Sequence, residues 1–270
     1  MYVPIQFIDE TLVHPQLNYS EMLPSDALKP YVACYWRLTS QSRLEEVILH
    51  RVIPDGCVDI LFDLTSGETH FAGIMNQVDM IPLIGDVHLL GIRFLPVSIP
   101  FLLKGDAAFL VNHMLDVVDI FGNKSLFNDY IITPEQSWNQ QVKRIEEELM
   151  IIFKHHVLDP RFNGMLSVIL ERGGIVTRAE LAEYFTTSER QIARIFKSFI
   201  GVSTKEYASI IQFQSVLRLL KQSQSPVNWS DLSLQGGYYD QSHFIHAFKK
   251  HYGITPGHLI TKPCPIFPIQ

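Results

Sequence analysis

The apolar residues of this chain are grouped differently in its two halves. In the first hundred residues, short runs are rich in β-branched and aromatic residues, most clearly at 31–38, 58–64 and 89–95. Such runs are typical of strands, and turn-forming residues at 54–56 and 66–67 lie between them. Several short strands at close spacing predict a small β-barrel or sandwich.

Helical periodicity follows residue 96. The segments 98–104 and 107–118 are predicted to be helical, and Thr133-Pro134 predicts the entry to a longer helix that ends near residue 156. Within this helix an apolar stripe alternates spacings of four and three residues: Trp138, Val142, Ile145, Leu149 and Ile152. The pattern is typical of a dimer seam, but a stripe that packs on the β-domain of its own chain would look the same. The sequence leaves both interpretations open.

The second half of the chain contains an internal repeat. The segments Phe196-Lys-Ser-Phe-Ile-Gly201-Val-Ser203 and Phe248-Lys-Lys-His-Tyr-Gly253-Ile-Thr255 share one pattern and lie 52 residues apart. In each copy the glycine stands where the end of a helix favours a left-handed residue, and the hydroxyl residue after it can cap another helix. Self-similarity of this kind predicts a duplicated helical unit.

Capping residues predict a helix, a turn and a second helix in the first copy. Capping boxes at 177–180 and 188–191 each precede a run of apolar residues, and the second of these helices is predicted over 188–199. A third capping box at 203–206 starts a connecting helix that runs to about residue 221. At 1.5 Å per residue this connector is roughly 27 Å long.

The second copy repeats the same order of elements. Asn228 starts its first helix, Gly236-Gly237 breaks that helix, and Asp240 caps a second helix predicted over 240–251. Upstream of both copies, Asp159-Pro160 opens a further helix that ends at a pair of glycines. The chain would therefore present two similar helix-turn-helix units joined by one connecting helix.

Three motifs of the second copy match a known family: Gly237-Tyr-Tyr-Asp-Gln-Ser-His-Phe244, Phe248-Lys249 and Gly253-Ile-Thr-Pro256. Through them, residues 160–262 resemble the DNA-binding domain of the AraC/XylS family of transcription regulators. Tyr31-Val-Ala-Cys-Tyr-Trp36 and Val52-Ile-Pro-Asp-Gly-Cys-Val-Asp-Ile60 resemble the barrel-like sensor domain of one subgroup of that family. A few positions depart from the family's usual residues, which affects sequence preference more than fold: Gln212, Ser215, Ser233 and His246.

The resemblance implies an α+β chain. Its N-terminal part would be a small β-barrel-like, cupin-like domain with helices, and its C-terminal part an all-α domain of two helix-turn-helix units joined by a long helix. We divide the chain into a ligand-sensing β-domain at 1–130, a helical linker and candidate dimerisation helix at 131–158, a DNA-binding domain at 159–262 and a tail at 263–270.

The charge of the chain is distributed unevenly. The formal net charge is −6, which by itself argues against a nucleic-acid partner. However, residues 160–262 carry 12 Lys or Arg against 7 Asp or Glu, or +5, whereas residues 1–159 carry 10 against 21, or −11. A basic module behind an acidic one fits a DNA-binding protein that confines its attraction for phosphate to one end.

Helical periodicity selects the side chains that would face DNA. On the first recognition helix Ile192, Ile195, Phe196 and Phe199 face the core, which turns the basic side chains outward. Arginine and glutamine suit base edges, whereas lysine near a phosphate needs only its charge. The candidate base-reading residues are Arg190, Ala193, Arg194, Gln241, Ser242 and His246, and the candidate phosphate contacts are Lys197, Lys249 and Lys250. Trp229, Tyr238 and Tyr239 are interpreted as core and turn packing, because duplex DNA offers no unstacked base to them.

A small β-domain in front of a DNA-binding module suggests a ligand switch, because barrel interiors commonly hold one small molecule. Aromatic or charged residues within otherwise apolar strands are the candidates to line such a pocket: Tyr35, Trp36, Arg37, Arg51, Asp59 and Arg93. The three cysteines form no CxxC pair, and the histidines of this region form no HxH pair. We therefore predict no disulfide framework, no metal site and no cofactor.

These patterns predict a sequence-specific DNA-binding transcription regulator that responds to a small effector. Its expected partners are double-stranded DNA, a small-molecule effector, RNA polymerase and a second copy of the chain. No apolar run approaches the roughly 20 residues of a spanning helix, so we expect a cytoplasmic, nucleoid-associated protein without a membrane partner. We expect no enzymatic activity.

Two alternatives stay open: a barrel-domain enzyme fused to a DNA-binding module, and an architectural DNA-binding protein without a ligand. The sequence does not distinguish an activator from a repressor.

Overall fold

The computed structural model describes most of the chain. The described residues are 2–6, 14–103, 106–121, 132–133, 135–154, 157–222 and 227–261. Cys264 and the tail predicted over 263–270 lie outside these ranges, as does the end of the long helix predicted near residue 156.

The strands of the described residues form two antiparallel sheets. They are β1 (Leu17–Met22), β2 (Val32–Ser40), β3 (Leu44–Val52), β4 (Val58–Asp63), β5 (Thr69–Ala72), β6 (Asp79–Gly85), β7 (His88–Phe94) and β8 (Met114–Asp116). The larger sheet has the order β1-β2-β7-β4-β5-β8, and β3 pairs with β6 in the smaller one. The three segments predicted as strands correspond to β2, β4 and β7, which lie side by side at the centre of the larger sheet.

The two faces of the larger sheet have different neighbours. In β4 the side chains of Val58, Ile60 and Phe62 are buried on the face that packs against helices. Asp59 and Leu61 point the other way, into a cavity that β3 and β6 also line. The smaller sheet closes over this second face through a separate apolar cluster of Leu17, Leu38, Leu44, Ile48, Leu83 and Val87. The result is a barrel-like β-domain with a space between its two sheets.

The helices of the described residues are concentrated in the second half of the chain. They are α1 (Ile99–Leu102), α2 (Val117–Phe121), α3 (Trp138–Phe153), α4 (Pro160–Glu171), α5 (Arg178–Tyr184), α6 (Glu189–Phe199), α7 (Thr204–Gln222), α8 (Trp229–Gln235), α9 (Gln241–Tyr252) and α10 (Pro256–Thr261). None of the helices in this described part is long and apolar enough to cross a membrane. The α+β class and the division into a β-rich first half and a helical second half are confirmed.

The segment predicted as one helix at 107–118 has a mixed structure. It contains a 3₁₀ turn at Ala107–Leu110, then β8, and only its last two residues enter α2. β8 pairs with β5, where His70 lies opposite Asp116. The prediction of a single helix is wrong because a free strand edge offered these residues backbone hydrogen bonds that local periodicity does not reveal.

The long helix starts later than predicted. Its N-cap is Ser137, whose side chain and backbone form a capping box with Gln140, so the entry is not at Thr133-Pro134. The apolar stripe of this helix packs inside the chain. Ile145 and Leu149 are fully buried in one cluster with the β-domain, together with Val142, while Trp138 and Ile152 pack against it half-buried. The buried side chains Val142, Ile145 and Leu149 are therefore not available as a seam between two chains.

One apolar core joins the β-domain to the first helix-turn-helix unit. It includes residues of β2, β4 and β7, the stripe of α3, and buried side chains of α4, α6 and α7. The 3₁₀ turn at Ala107–Leu110 packs against α6, and a Cβ on Gly201 would lie 2.5 Å from the carbonyl oxygen of Ala107. The two parts of the chain are thus packed directly on each other.

A pair of substitutions in α3 tests the packing of the stripe. Ile145→Ala should lower the free energy of unfolding by about 2–5 kcal/mol, because it leaves a cavity in the core. Ile151→Ala is the matched control, since Ile151 is 68% exposed on the same helix. Its effect should stay within about 0.5 kcal/mol. Urea unfolding of the full chain measures both, and equal losses would contradict the burial of the stripe.

Candidate nucleic-acid interface and ligand cavity

The first helix-turn-helix unit consists of α5 and α6. Thr177 and Glu180 form the predicted capping box at the start of α5, with the Thr177 backbone N–H donating to Glu180 Oε2 at 2.7 Å. Ser188 caps α6 by accepting from the Gln191 N–H at 3.2 Å. The helix ends before Gly201, whose φ of 89° requires the left-handed region. The caps and the glycine set the length of this recognition helix.

The second unit, α8 and α9, is built by the same devices. Asn228 caps α8 by accepting from the backbone N–H groups of Ser230 and Asp231, and Asp240 caps α9 by accepting from the His243 N–H at 2.7 Å. Gly253 closes α9 with a φ of 92°. The predicted helix-turn-helix repeat is confirmed at both ends of both recognition helices to within one residue.

The connecting helix α7 lies between the two units and is mostly buried. A capping box of Ser203 and Glu206 starts it, as predicted. Gly174 lets α7 approach closely, because a Cβ there would lie 2.2 Å from the Ala208 carbonyl oxygen. The Gln212 side chain donates to the Gly236 carbonyl oxygen at 2.8 Å and so ties α7 to the second unit.

The outward faces of the two recognition helices are open to solvent. On α6 the exposed side chains include Arg190, Arg194 and Lys197, with Ala193 half-buried between them. On α9 they include Gln241, Ser242, His246, Lys249 and Lys250. All nine residues that periodicity predicted to face DNA therefore reach the surface at least in part.

Two of these side chains also have partners within the protein. Lys197 Nζ donates to the Gly201 carbonyl oxygen at 2.9 Å, where it caps the end of α6. Arg194 Nη2 donates to Gln191 Oε1 at 3.2 Å, one turn back on the same helix. Both side chains keep further N–H donors for a base edge or a phosphate, because a guanidinium has several donors and an ammonium group has three.

A cavity of about 150 Å³ lies between the two sheets of the β-domain. Its wall is mainly apolar, with Trp36, Leu38, Leu61, Ile81, Leu83 and Leu89 among the lining residues. The Trp36 indole lies flat over Gly91 of the neighbouring strand, where a Cβ would come within 2.1 Å of the ring. A glycine at this point is therefore required for the tryptophan to form the wall.

Two charged side chains of the cavity wall, Asp59 and Arg93, belong to a buried cluster around the Arg93 guanidinium. This guanidinium donates to both oxygens of Asp59, with Nε–Oδ1 at 3.3 Å and Nη2–Oδ2 at 3.2 Å. Trp36 Nε1 also donates to Asp59 Oδ2 at 3.0 Å. Asp55 Oδ2 lies 3.1 Å from Arg93 Nε, and Glu21 Oε1 lies 3.7 Å from Nη1. Burial raises the pKa of Asp59 to about 6, against the opposing influence of Arg93.

No metal site accompanies this cluster in the described ranges, because no three His, Cys, Asp or Glu side chains there come close enough to hold an ion. His50 also lines the cavity, and burial lowers its pKa to about 4, so its ring is neutral at physiological pH. The space is thus an apolar cavity with one charged corner.

Two families match separate parts of the chain. Residues 181–262 match a family described as a helix-turn-helix domain, and residues 20–116 match a domain of unknown function, DUF6597. The first match covers both recognition helices and the connecting helix. The C-terminal domain is an AraC-type helix-turn-helix domain.

Curated relatives are similar over limited segments. An uncharacterized HTH-type transcriptional regulator of Haemophilus influenzae is 36% identical over 99 residues, which is 36% of this chain and 33% of that protein. The HTH-type transcriptional regulator MtrA of Neisseria gonorrhoeae is 34% identical over 70 residues, or 26% and 23%. The chain thus spans a third or less of the length of the curated relatives it matches.

Solved structures of ToxT from Vibrio cholerae are similar over most of the chain at low sequence identity. One has a TM-score of 0.42 and 13% identity, and covers 91% of this chain and 97% of ToxT. Another, bound to an unsaturated fatty acid, has a TM-score of 0.39 and 11% identity, with coverages of 90% and 94%.

The six residues predicted to line a ligand pocket divide into two groups of three. Trp36, Asp59 and Arg93 line the cavity. Tyr35 is fully buried on the opposite face of β2 and donates to Glu146 of α3 at 3.2 Å, so it is no part of the cavity wall. Strand periodicity separates these neighbours, because successive side chains point to opposite faces of a sheet.

Arg37 and Arg51 also lie away from the cavity. The Arg37 guanidinium lies over the Trp138 ring of α3 at 5.4 Å, on the same face of β2 as Tyr35. Arg51 lies over the Tyr252 ring at 4.7 Å, where it joins the β-domain to the end of α9 in the AraC-type domain. Both predictions of ligand contact by these arginines are corrected, because each packs on an aromatic ring of a neighbouring helix.

Sequence reasoning missed most of the apolar wall of the cavity and one exposed ring of the AraC-type domain. Leu61, Ile81 and Leu83 carry no chemical signal of their own, and only the pairing of the sheets brings them to one space. Tyr238 is buried as predicted, but the neighbouring Tyr239 is 92% exposed directly before the cap of α9. A tyrosine at the start of a recognition helix is a further candidate for contact with phosphate.

The Asp59 pKa predicts a distinctive dependence of stability on pH. A carboxyl group whose pKa rises from about 3.9 in the unfolded chain to about 6 in the folded one stabilises the fold below pH 4 and loses that contribution as pH rises through 6. The unfolding free energy of the wild type minus that of Asp59→Asn should therefore fall between pH 4 and pH 7. Urea unfolding at several pH values measures it. A difference that rises with pH would show that Arg93 outweighs burial.

Proposed function

We propose that this protein is a sequence-specific DNA-binding transcription regulator whose AraC-type domain reads two successive segments of duplex DNA. The observation that carries the proposal is the exposure of polar and basic side chains on the outward faces of both α6 and α9. These faces belong to the part of the chain with a surplus of positive charge. The relatives are themselves transcriptional regulators, which supports the same function.

The roles of the individual residues follow from their chemistry. Arg190, Arg194, Gln241, Ser242 and His246 are proposed to contact base edges, with Ala193 allowing close approach. Lys197, Lys249 and Lys250 are proposed to hold phosphates, and Lys197 can do so while it keeps its contact with Gly201, because its ammonium group has further N–H donors.

We expect binding to DNA in the cytoplasm at the nucleoid, contact with RNA polymerase, no catalysis, and assembly as a homodimer through a surface other than the α3 stripe. Sedimentation of the full chain measures the dimer. Turnover of a metabolite by the full chain would favour the fused-enzyme alternative.

The cavity of the β-domain is proposed to hold the small effector, because it is apolar, partly enclosed and carries one polar corner. A short chain of buried contacts leads from it to α7. Asp59 pairs with Arg93, Arg93 with Asp55, and Asp55 Oδ2 accepts from Gln6 Nε2 at 2.8 Å. The residues that directly precede Gln6 and Asp55 contact the connecting helix.

Gln214 of α7 is the point of contact. Its side chain is fully buried, accepts from the Ile5 N–H at 2.8 Å, and donates to the Ile5 and Pro54 carbonyl oxygens at 3.0 and 2.8 Å. Ile5 precedes Gln6, and Pro54 precedes Asp55. A shift of the Arg93 cluster on ligand binding would therefore move the helix that sets the spacing of the two recognition helices.

Selection from a random pool of DNA duplexes, followed by footprinting with the full chain, tests the regulator function. Discrete protected sites are expected of a sequence-specific regulator. A uniform pattern that salt abolishes would support the architectural alternative instead.

The base-reading role of Arg194 has a matched control. Arg194→Ala should weaken binding to the selected site by about 1–3 kcal/mol with little effect on random DNA. Arg194→Lys keeps the charge but loses the two-pronged geometry, so it should resemble alanine on the selected site and the wild type on random DNA. Lys250→Ala should weaken both alike and reduce the salt slope by about 1. Equal losses on both DNAs for Arg194→Ala would assign it to phosphate.

The contacts of Gln214 predict that a substitution there loosens the two segments of the β-domain that pack on α7. Gln214→Leu leaves the buried Ile5 and Pro54 groups without partners, at a cost of about 1–3 kcal/mol per group. Hydrogen exchange should then rise in residues 2–6 and 53–56. Gln212→Leu is the control on the same helix, because its partner Gly236 belongs to the AraC-type domain. Equal exchange in the N-terminal segments of both variants would contradict the proposed path.

A further inference from the structure

The accessible charge in the cavity wall is negative. Asp59 lines the cavity with 18% of its side chain exposed, whereas the Arg93 side chain is 5% exposed. Arg93 Nη1 has no hydrogen-bond partner among the described residues, but it is buried from water. An incoming molecule therefore meets the Asp59 carboxylate before it can reach the guanidinium.

The cluster behind this carboxylate carries a surplus of negative charge. One guanidinium, Arg93, is surrounded by the carboxylates of Glu21, Asp55 and Asp59 at 3.1–3.7 Å. Arg93 is the single Lys or Arg among the described residues that line the cavity, and Asp79 adds a further carboxylate to its wall. A ligand carboxylate would be a fourth anion around one guanidinium, whereas a ligand cation would relieve the repulsion among the carboxylates.

The remainder of the wall suits an apolar or aromatic cation. Trp36 and Tyr19 both line the cavity and stack on each other, with ring centroids 6.3 Å apart. Aromatic faces attract cations, and the leucines and isoleucines of both sheets suit a hydrocarbon body. An apolar space of about 150 Å³ is the size that accepts a single benzene ring.

We propose that the cavity binds an organic cation, a molecule with one protonated amine or quaternary ammonium group on a small apolar or aromatic body. This rests on the proposed function in so far as the cavity is the effector site. The ammonium group lies against Asp59, and the body lies between Trp36 and the apolar side chains of β6.

A series of three molecules that share one ring tests the charge preference directly. Benzylamine, benzyl alcohol and benzoate are titrated into the full chain at neutral pH, without DNA, by calorimetry and thermal shift. Benzylamine should bind at least about tenfold more tightly than benzyl alcohol, and benzoate most weakly. Equal or tighter binding of either of the other two, or no binding by any of the three, overturns the proposal.

Two variants localise the binding. Asp59→Asn should reduce benzylamine affinity about tenfold and leave benzyl alcohol unchanged, because only the charge is removed. Ala72→Phe fills the cavity and should abolish the binding of both. Circular dichroism establishes that each variant is folded, and benzylamine binding that survives Ala72→Phe in the folded protein places the amine elsewhere and overturns the proposal. DNA affinity is measured separately with the selected duplex, so a failure of the regulator function is distinguishable from a failure of cation binding.

Discussion

A guanidinium that is 4% exposed has to find its counter-charges inside the protein, because an isolated buried charge is far too costly. Arg93 meets this requirement with carboxylates from three places: Asp59 on the neighbouring strand, Glu21 near the sheet edge, and Asp55 in the turn before β4. The pairing therefore fixes the charged corner of the cavity and holds the turn that touches α7. The cavity and the link to the AraC-type domain both depend on this one residue.

The β-domain and the AraC-type domain are joined by apolar packing and by specific hydrogen bonds. Their apolar cores are continuous, and the Gln214 side chain provides partners for backbone groups of Ile5 and Pro54 that would otherwise be buried without them. Asn76 adds a hydrogen bond to Glu206 at the start of α7, and the Val78 N–H donates to the carbonyl oxygen of Lys250 near the end of α9. The β-domain thus touches the connecting helix and the second recognition helix, while the outward faces of both recognition helices stay open.

The helical half could be predicted from the sequence almost element by element, and the β half only in part. Helix caps and left-handed glycines act within four or five residues, so Thr177, Asp240 and Gly253 each identify a helix end without reference to the fold. The strands β1, β3, β5, β6 and β8 lack strong local patterns, and the pairings of β3 with β6 and of β5 with β8 join segments that lie far apart in sequence. Thr133-Pro134 resembles a helix entry and so predicts the start of the long helix four residues too early, whereas Ser137 and Gln140 form the capping box at the actual start.

The sequence by itself determined the repeat, the caps and the outward faces of α6 and α9, because helical periodicity and capping are local properties of the chain. Tertiary structure decided what each apolar or charged side chain would meet. It placed Trp36 in the cavity and Tyr35 against α3, buried the α3 stripe within its own chain, and set Arg37 and Arg51 on aromatic rings of helices. These outcomes depend on which sheet face and which helix lie opposite, and those partners are fixed only when distant segments pack together.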